Sequence, residues 1–454
     1  MPSLYPDAAT LAQWPTAERI RARKRILPRA NVQAVLRHTG PARRRYLRLP
    51  AWFMVWFVIA PGLFCRDSYR QVFKWLQPFR RKGTPGRSTF CAARHRLGVA
   101  PVLRLAQQVV QLQATPQTPG AFYHGLRLMA LDSFVLDVPD RSANARVFGR
   151  PGSGRSPAAF PQARVLARCE VGTPVLWKTQ LKPYRRGEVV MAAALLRFLQ
   201  PDLLLLWDRN FLSYDLVPQV RQRGTQLLAR IKNNLVFRPL RRLGDGSFLA
   251  KLYPSPRHRD RDEGGVVVRI IEYTLSDPGR PGSGEKHRLL TTLLSAARHP
   301  AKRLILLYHE RWEEEVTIDE LKTHQRERPV LRSETPAGVV QEITGLLLAP
   351  YGVRVLMSEA ARAKELPPRR LSFVGALKVL RCRLPECPKS GAGLRSWYAG
   401  LLAEIGEDVL PERRNRINPR VIKRKMSNWR KKRSEHRHYP QPTRKFRQSI
   451  VMLN

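Results

Sequence analysis

Tyr308, Arg311, Glu315 and Lys322 fall at offsets 0, 3, 7 and 14 in the segment YHERWEEEVTIDELK. On a helix those offsets share an arc of about 60°, which would set one carboxylate between a guanidinium and an ammonium. Six of the fifteen residues are acidic, in a chain with 82 Lys and Arg against 35 Asp and Glu. Glu310, Glu313, Glu314 and Glu320 point away from the stripe and are expected on a solvated face. Asp319 stays close to it and is the second choice as a ligand. One Glu does not hold a hard cation, because Mg²⁺ takes oxygen ligands from one or two carboxylates together with water and phosphate. Partners are expected at the ends of buried strands, and two fit: LMALD closes on Asp132 and LLLLWD closes on Asp208. Asp137 and Asp140 compete with Asp132 but follow the apolar run and read as turn residues. An Asp that merely opens a turn is common, so neither aspartate identifies a site alone. Together with Glu315 they can hold two divalent ions, Mg²⁺ or Mn²⁺. One would activate water or a 3′-hydroxyl and the other would stabilise the leaving oxygen of a phosphodiester. Arg311 and Lys322 would grip flanking phosphates, and Tyr308 would hydrogen-bond a phosphate or pack.

The elements that must position these groups follow from periodicity. Residues 1–119 read as short basic helices separated by Gly and Pro, closed by the linker QATPQTPG, as a helical DNA-binding domain requires. LPAWFMVWFVIAPGLF within it contains two prolines and is too short to span a bilayer, so it is expected as a buried helix. From residue 120 to 219, LRLMALD, ARVLARCEV, TPVLWKTQL and DLLLLWD read as buried strands, with EVVMAAALLRFL as a helix before the last. Residues 220–299 read as a β-rich insertion. Helical periodicity resumes over 300–375, which carries the Glu315 segment as one long helix from near Pro300. Residues 376–454 read as a helical region that ends, from about Pro411, in an extended basic arm.

The net charge of +47 is spread over the whole length. Such a surface repels itself unless a polyanion shares its field, so nucleic acid is the expected partner and an anionic membrane the weaker rival. Five scattered cysteines suit a reducing compartment rather than a disulfide framework. The N-terminus lacks the order of a signal peptide, and a soluble, cytoplasmic, nucleoid-associated protein without membrane attachment is expected. GRPGSGRS nearly spells a phosphate-binding loop, but AAFPQ follows it in place of a helix, so a flexible connection is expected there.

The spacing of Tyr308, Arg311, Glu315 and Lys322 resembles the signature of bacterial DDE transposases of insertion-sequence family four. LDSFVLDVPD around Asp132, AAFPQARVLARCEVGTP, LLLLWDRNFLSYDL around Asp208, DGSFLAKL and LRSETPAGVVQEITGLLLAPYGVRVLM are similar to the family in the same order. The resemblance implies an α/β, ribonuclease H-like mixed-sheet core with a β-rich insertion between the second Asp and the Glu. It implies metal-dependent cleavage at transposon ends and transfer of 3′-hydroxyls into target DNA. Asp132, Asp208 and Glu315 would be the catalytic, metal-binding triad, with two ions per site, and Tyr308, Arg311 and Lys322 its DNA-contacting companions. A homodimer on paired inverted-repeat ends is implied as well. The insertion lacks a Trp, and Phe237, Phe248 or Tyr253 would have to stack any flipped base. Two alternatives remain open on the residues alone: a nuclease on the same core, and an inactive DNA-binding protein from a decayed element.

Overall fold

The computed structural model describes residues 29–39, 49–76, 83–153, 156–280, 282–325, 329–388, 391–411, 421–422, 430–438 and 440–453. The chain divides into two compact units, residues 1–198 with 312–410 and residues 199–311 with 411–454.

The first unit opens with helices Arg29–Thr39, Ala51–Ile59, Tyr69–Leu76, Arg87–Leu97 and Ala100–Val109. The apolar run expected as a buried helix is Ala51–Ile59, and it tightens into a 3₁₀ turn at Ala60–Gly62, where Pro61 ends the α-helix. Its rings make the local core: Phe57 stacks on Phe90 with centroids 4.8 Å apart. Three antiparallel strands follow, Leu126–Asp137, Gln162–Glu170 and Val175–Pro183, with the second in the middle. The sequence places a strand end at Asp132, yet the ladder continues to Asp137, with Asp132 opposite Ala167 and Asp137 opposite Gln162. The physical reason is the pair Phe134 and Leu136, which keep the alternation going and are buried, so extending the strand is favoured over a turn at one Asp.

Helix Pro336–Ala363 is the spine of this unit. It is long and apolar enough to cross a membrane, but 78% of its most apolar window is buried inside the protein. Leu348 and Ala349 join the core of the N-terminal helices. Val339, Ile343 and Leu346 pack under the strands, and Val353 to Ala361 meet helices Phe373–Arg383 and Gly391–Ile405. Its first turn is capped by Thr335, whose hydroxyl accepts the Gly338 N–H at 3.2 Å. Gly345 lets it cross Ala51–Ile59 closely, since a Cβ there would lie 2.2 Å from the Val58 carbonyl oxygen.

The second unit is a mixed sheet. Leu203–Trp207 and Gln226–Arg230 run parallel, and His287–Thr291, Val266–Leu275 and Phe248–Leu252 continue it antiparallel. Helix Ala301–His309 lies on it with Leu304 and Ile305 buried. The sequence reads as an extended basic arm from about Pro411; residues 412–420 and 423–429 lie outside the described residues, and the last described stretch is docked. Ile450–Met452 pairs with Val266–Leu275 beyond the end of Phe248–Leu252. Asp277 accepts the backbone N–H groups of Thr443 at 3.1 Å and Arg444 at 3.3 Å. An uncovered stretch of strand edge takes up whatever chain is available to pair with it, and apolar Ile450 supplies the anchor.

Gly345→Leu should lower stability by about 2–3 kcal/mol despite a gain in helix propensity of about 1 kcal/mol, because the obstacle is a backbone carbonyl. Urea unfolding followed by circular dichroism would read the difference, and an unchanged midpoint would refute the close crossing.

Candidate active site

Asp208 follows a strand whose five residues, Leu203–Trp207, are all buried. Trp207 is in register with Ala229 of the parallel neighbour, so Asp208 and Arg230 lie side by side at the carboxyl ends of two parallel strands. Open α/β sheets bind ligands beyond such ends, where side chains leave a rigid layer and the backbone stops filling the space. The Tyr308 hydroxyl donates to the Trp207 carbonyl at 3.1 Å, immediately before Asp208. Burial pushes the Tyr308 hydroxyl well above its ordinary pKa. The Arg311 and Arg230 charges pull it back and the Asp208 charge adds to the rise. Tyr308 is therefore a neutral donor at any physiological pH. The Arg311 guanidinium lies 5.8 Å from the centroid of its ring.

The start of the Tyr308 helix is fixed from the far end of the sheet. The Asp245 carboxylate accepts the Ala301 N–H at 2.7 Å, capping the helix after Pro300. It also pairs with Arg269. Arg269 is fully buried, and its Nη1 reaches the His299 carbonyl at 2.6 Å and its Nε the Ser247 hydroxyl at 2.8 Å. Burial tends to raise the Asp245 pKa, but the hydrogen bonds from Ser247 and Ala301 and the Arg269 charge outweigh it, and the net direction is down. At the other end His309 stacks on Phe446, with centroids 4.1 Å apart.

In the first unit, Asp132 shares a strand face with Phe134 and Leu136 by alternation. That face packs against Ile318 and Leu321 of the segment carrying Glu315. The Asp132 carboxylate accepts the Ser133 N–H at 2.7 Å. On the opposite face the Ser133 hydroxyl and Arg164 both donate to Glu188. The backbone of Glu315 lies in helix Trp312–Asp319, but its side chain, with those of Trp312, Glu313 and Glu314, is outside the described residues. Lys322 is half-buried in the π-helical stretch Glu320–Gln325.

One long helix carrying four residues on one stripe is thus corrected. The helix from Ala301 ends at His309. The N–H groups of Glu310 and Arg311 bond three residues back, to Leu307 and Tyr308, at 3.1 Å each. Such tight turns and the later π-turns both depart from 3.6 residues per turn, so equal angular steps do not hold across the signature. Glu320 is also not a solvated acid: it pairs with the buried Arg354. The structure brings Asp208, Tyr308, Arg311 and Arg230 together in one unit, and Asp132 and the Glu315 helix in the other. Arg230 escaped the sequence reading. Its signal was available, a basic residue closing the buried run TQLLAR. Among the described residues no three of His, Cys, Asp and Glu lie close enough to hold a metal. The donor chemistry of Asp132, Asp208 and Glu315, all carboxylate oxygen, suits a hard divalent ion.

A mixed sheet with an acidic residue at its parallel strand ends, helices at both chain ends and a surplus of cations describes a polynucleotide enzyme. Residues 123–349 match the family described as transposase DDE domain, and residues 18–107 match insertion element 4 transposase N-terminal. The chain belongs to the DDE transposases of insertion-sequence family four. It is similar to transposase InsG for insertion sequence element IS4 of Escherichia coli strain K12, at 30% identity over 406 residues, 86% of this chain and 89% of that one. It is also similar to InsZ of the same strain, provisionally named a transposase, at 28% identity over 204 residues, 44% of this chain and 66% of that one. The solved piggyBac transposase synaptic complex with hairpin DNA covers 86% of this chain and 84% of its own at 13% identity. Its TM-score of 0.40 is too low to carry an argument. The protein is therefore an enzyme, a DDE-type transposase acting on DNA, of a family that generally uses divalent metal.

Two outcomes follow from the Tyr308 scaffold. Tyr308→Phe should lower stability by about 1 kcal/mol, one net hydrogen bond, in urea unfolding. Asp245→Asn should cost more at neutral pH because Arg269 loses its charge partner. The folded Asp245 pKa lies below the ordinary 3.8, so its contribution is full above that value and fades as pH falls through the lowered one. The gap between wild type and Asp245→Asn should accordingly hold steady down to about pH 4 and narrow below it, which unfolding midpoints between about pH 2 and pH 7 would check.

Proposed function

We propose that Asp132, Asp208 and Glu315 form the catalytic triad of a ribonuclease H-like core, cutting DNA at inverted-repeat ends and joining 3′-hydroxyls to target DNA. The observation that carries this reading is Asp208 at the carboxyl ends of parallel strands, with Tyr308 bonded to the carbonyl just before it. Two Mg²⁺ or Mn²⁺ ions, held by these carboxylates, would supply Lewis acidity at the attacking and leaving oxygens of an in-line displacement.

The chain's own groups do the rest. Tyr308, neutral and bonded to the Trp207 carbonyl, positions the Asp208 turn, a role nearer to scaffold than to phosphate contact. Arg311 and Arg230, whose charges both reach Tyr308, offset the negative charge that builds when carboxylates and phosphates converge. Lys322 would grip a phosphate flanking the cut. Asp132 faces the Glu315 helix, so one sheet face supplies one acid and that helix the other. The sequence boundaries assign end recognition to residues 1–119 and the insertion to 220–299. Within that insertion Phe248 is core and Tyr253 bonds Asp262, which leaves Phe237, half-buried under Arg288 at 5.3 Å, as the aromatic best able to stack a base. A homodimer on paired ends, working in the cytoplasm on the nucleoid, completes the reading.

Asp132→Ala, Asp208→Ala and Glu315→Ala should each abolish cleavage and joining in Mg²⁺ and Mn²⁺ while leaving end binding intact. Assays with intact ends, precut ends and a target plasmid separate a transposase from a nuclease, which would cut without joining. Joining retained by any of the three variants would remove that residue from the triad.

A further inference from the structure

One buried guanidinium stands apart from all these residues and has no anion beside it among the described residues. Arg168 lies in the middle strand of the first unit, opposite Leu131, and is 2% exposed. Its Nη1 reaches the Phe198 carbonyl only at 3.5 Å, the outer limit of a hydrogen bond. Its Nε and Nη2 are buried and, among the described residues, have no hydrogen-bond partner. The guanidinium instead lies 4.7 Å from the centroid of the Trp177 ring.

A second cation sits beside it. Lys178 directs its ammonium at Trp177, 5.3 Å from the centroid, and at Phe198, 5.1 Å away. Exposed Arg197 covers the Phe198 ring at 4.7 Å. Lys178 occupies a bulge between its strand and that of Arg168 and takes φ +53°, a left-handed conformation unusual for lysine. Among the described residues neither Arg168 nor Lys178 has an ion pair. Burial pulls the Arg168 pKa down to about 10. Burial, then the Arg168 charge, lowers that of Lys178.

Removing a guanidinium from water without a counter-charge is costly, and ring faces recover only part of the loss. Two crowded cations at a strained bulge are arranged for a third, negative group. In the antiparallel ladder Arg168 shares the face of Leu131, whereas Asp132 and Ala167 share the other. We propose that Arg168, Lys178 and Arg197, set among Trp177 and Phe198, form a phosphodiester-binding subsite for duplex DNA on the sheet face opposite Asp132. Half-buried Lys178 and exposed Arg197 supply the outer contacts. Arg168 supplies charge from beneath and two N–H donors once Lys178 turns from the rings to the phosphate. Such a contact positions backbone and carries no sequence information. The inference rests on DNA as ligand and not on the carboxylate triad.

The test is fluorescence anisotropy of the full chain with an end-repeat duplex and an unrelated duplex, in EDTA and over a range of KCl. Lys178→Gly suits it, because glycine accepts φ +53° without strain and should leave the thermal midpoint equal or higher. Expected for this variant is a several-fold weaker affinity for both duplexes, with a log K against log [KCl] slope shallower by about one. Arg168→Met, which keeps most of the volume, should give the same pattern. Should Lys178→Gly misfold, Lys178→Asn, which also tolerates left-handed backbone, gives the reading. Unchanged affinity and slope in a folded Lys178 variant would overturn the proposal and leave the cluster as packing. A loss confined to the end-repeat duplex would overturn it too. Because metal is absent, these results stand whether or not the triad assignment survives.

Discussion

A helix that is apolar on every side must be covered on every side. Helix Pro336–Ala363 meets that demand by running through three separate cores. The N-terminal helices lie against Leu348 and Ala349, the strand that holds Asp132 against Ile343 and Leu346, and the C-terminal helices against Met357 and Ala360. The face of Asp132 and the helix of Glu315 are related because both rest on this one element. Gly345 sets how closely the first of those layers can approach.

The excess of cations shapes the interior as well as the surface. With 82 basic and 35 acidic side chains, acids do not reach every buried arginine: Arg269, Arg280, Arg288 and Arg354 each pair with one, whereas among the described residues Arg94 and Arg168 do not. Arg94 is held by neutral acceptors, Gln341, Ser333 and the Gly338 carbonyl, and lies over Tyr69. Arg269 has Asp245 and a set of carbonyls. Arg168 has a tryptophan and little else. Carboxylates are used where a charge must fix geometry, as at the start of the Tyr308 helix and at the docked C-terminal segment. At Arg94 and Arg168 dipoles and ring faces serve instead.

Much of the architecture could be read from the chain. LLLLW is apolar enough to demand burial, and Asp208 right after it sits at a strand end as expected. AWFMVWFVI is a buried helix for the same reason. The misjudged positions have a common cause. An acid interrupting an apolar run suggests a strand end at Asp132, yet buried Phe134 and Leu136 carry the strand on and Gln162–Glu170 pairs with it to Asp137. ARVLARCEV is the buried strand its apolar residues predict, but nothing local shows what its second arginine meets. Glu320 looked solvated until Arg354, from a distant helix, reached it. In each case the deciding atom lies far away in sequence.

Sequence alone determined the class of protein, through the order and context of Asp132, Asp208 and the Tyr308-to-Lys322 signature, and through a charge that suits a polyanionic partner. It also determined which segments had to be buried, because transfer of apolar side chains from water depends on residue type and not on partners. Tertiary structure decided the rest: where the signature helix breaks, that Tyr308 bonds the backbone beside Asp208, and which arginines lack an acid. Hydrogen bonds and charge pairs are directional and short-ranged, so they exist only once the fold has brought particular atoms within about 3–4 Å.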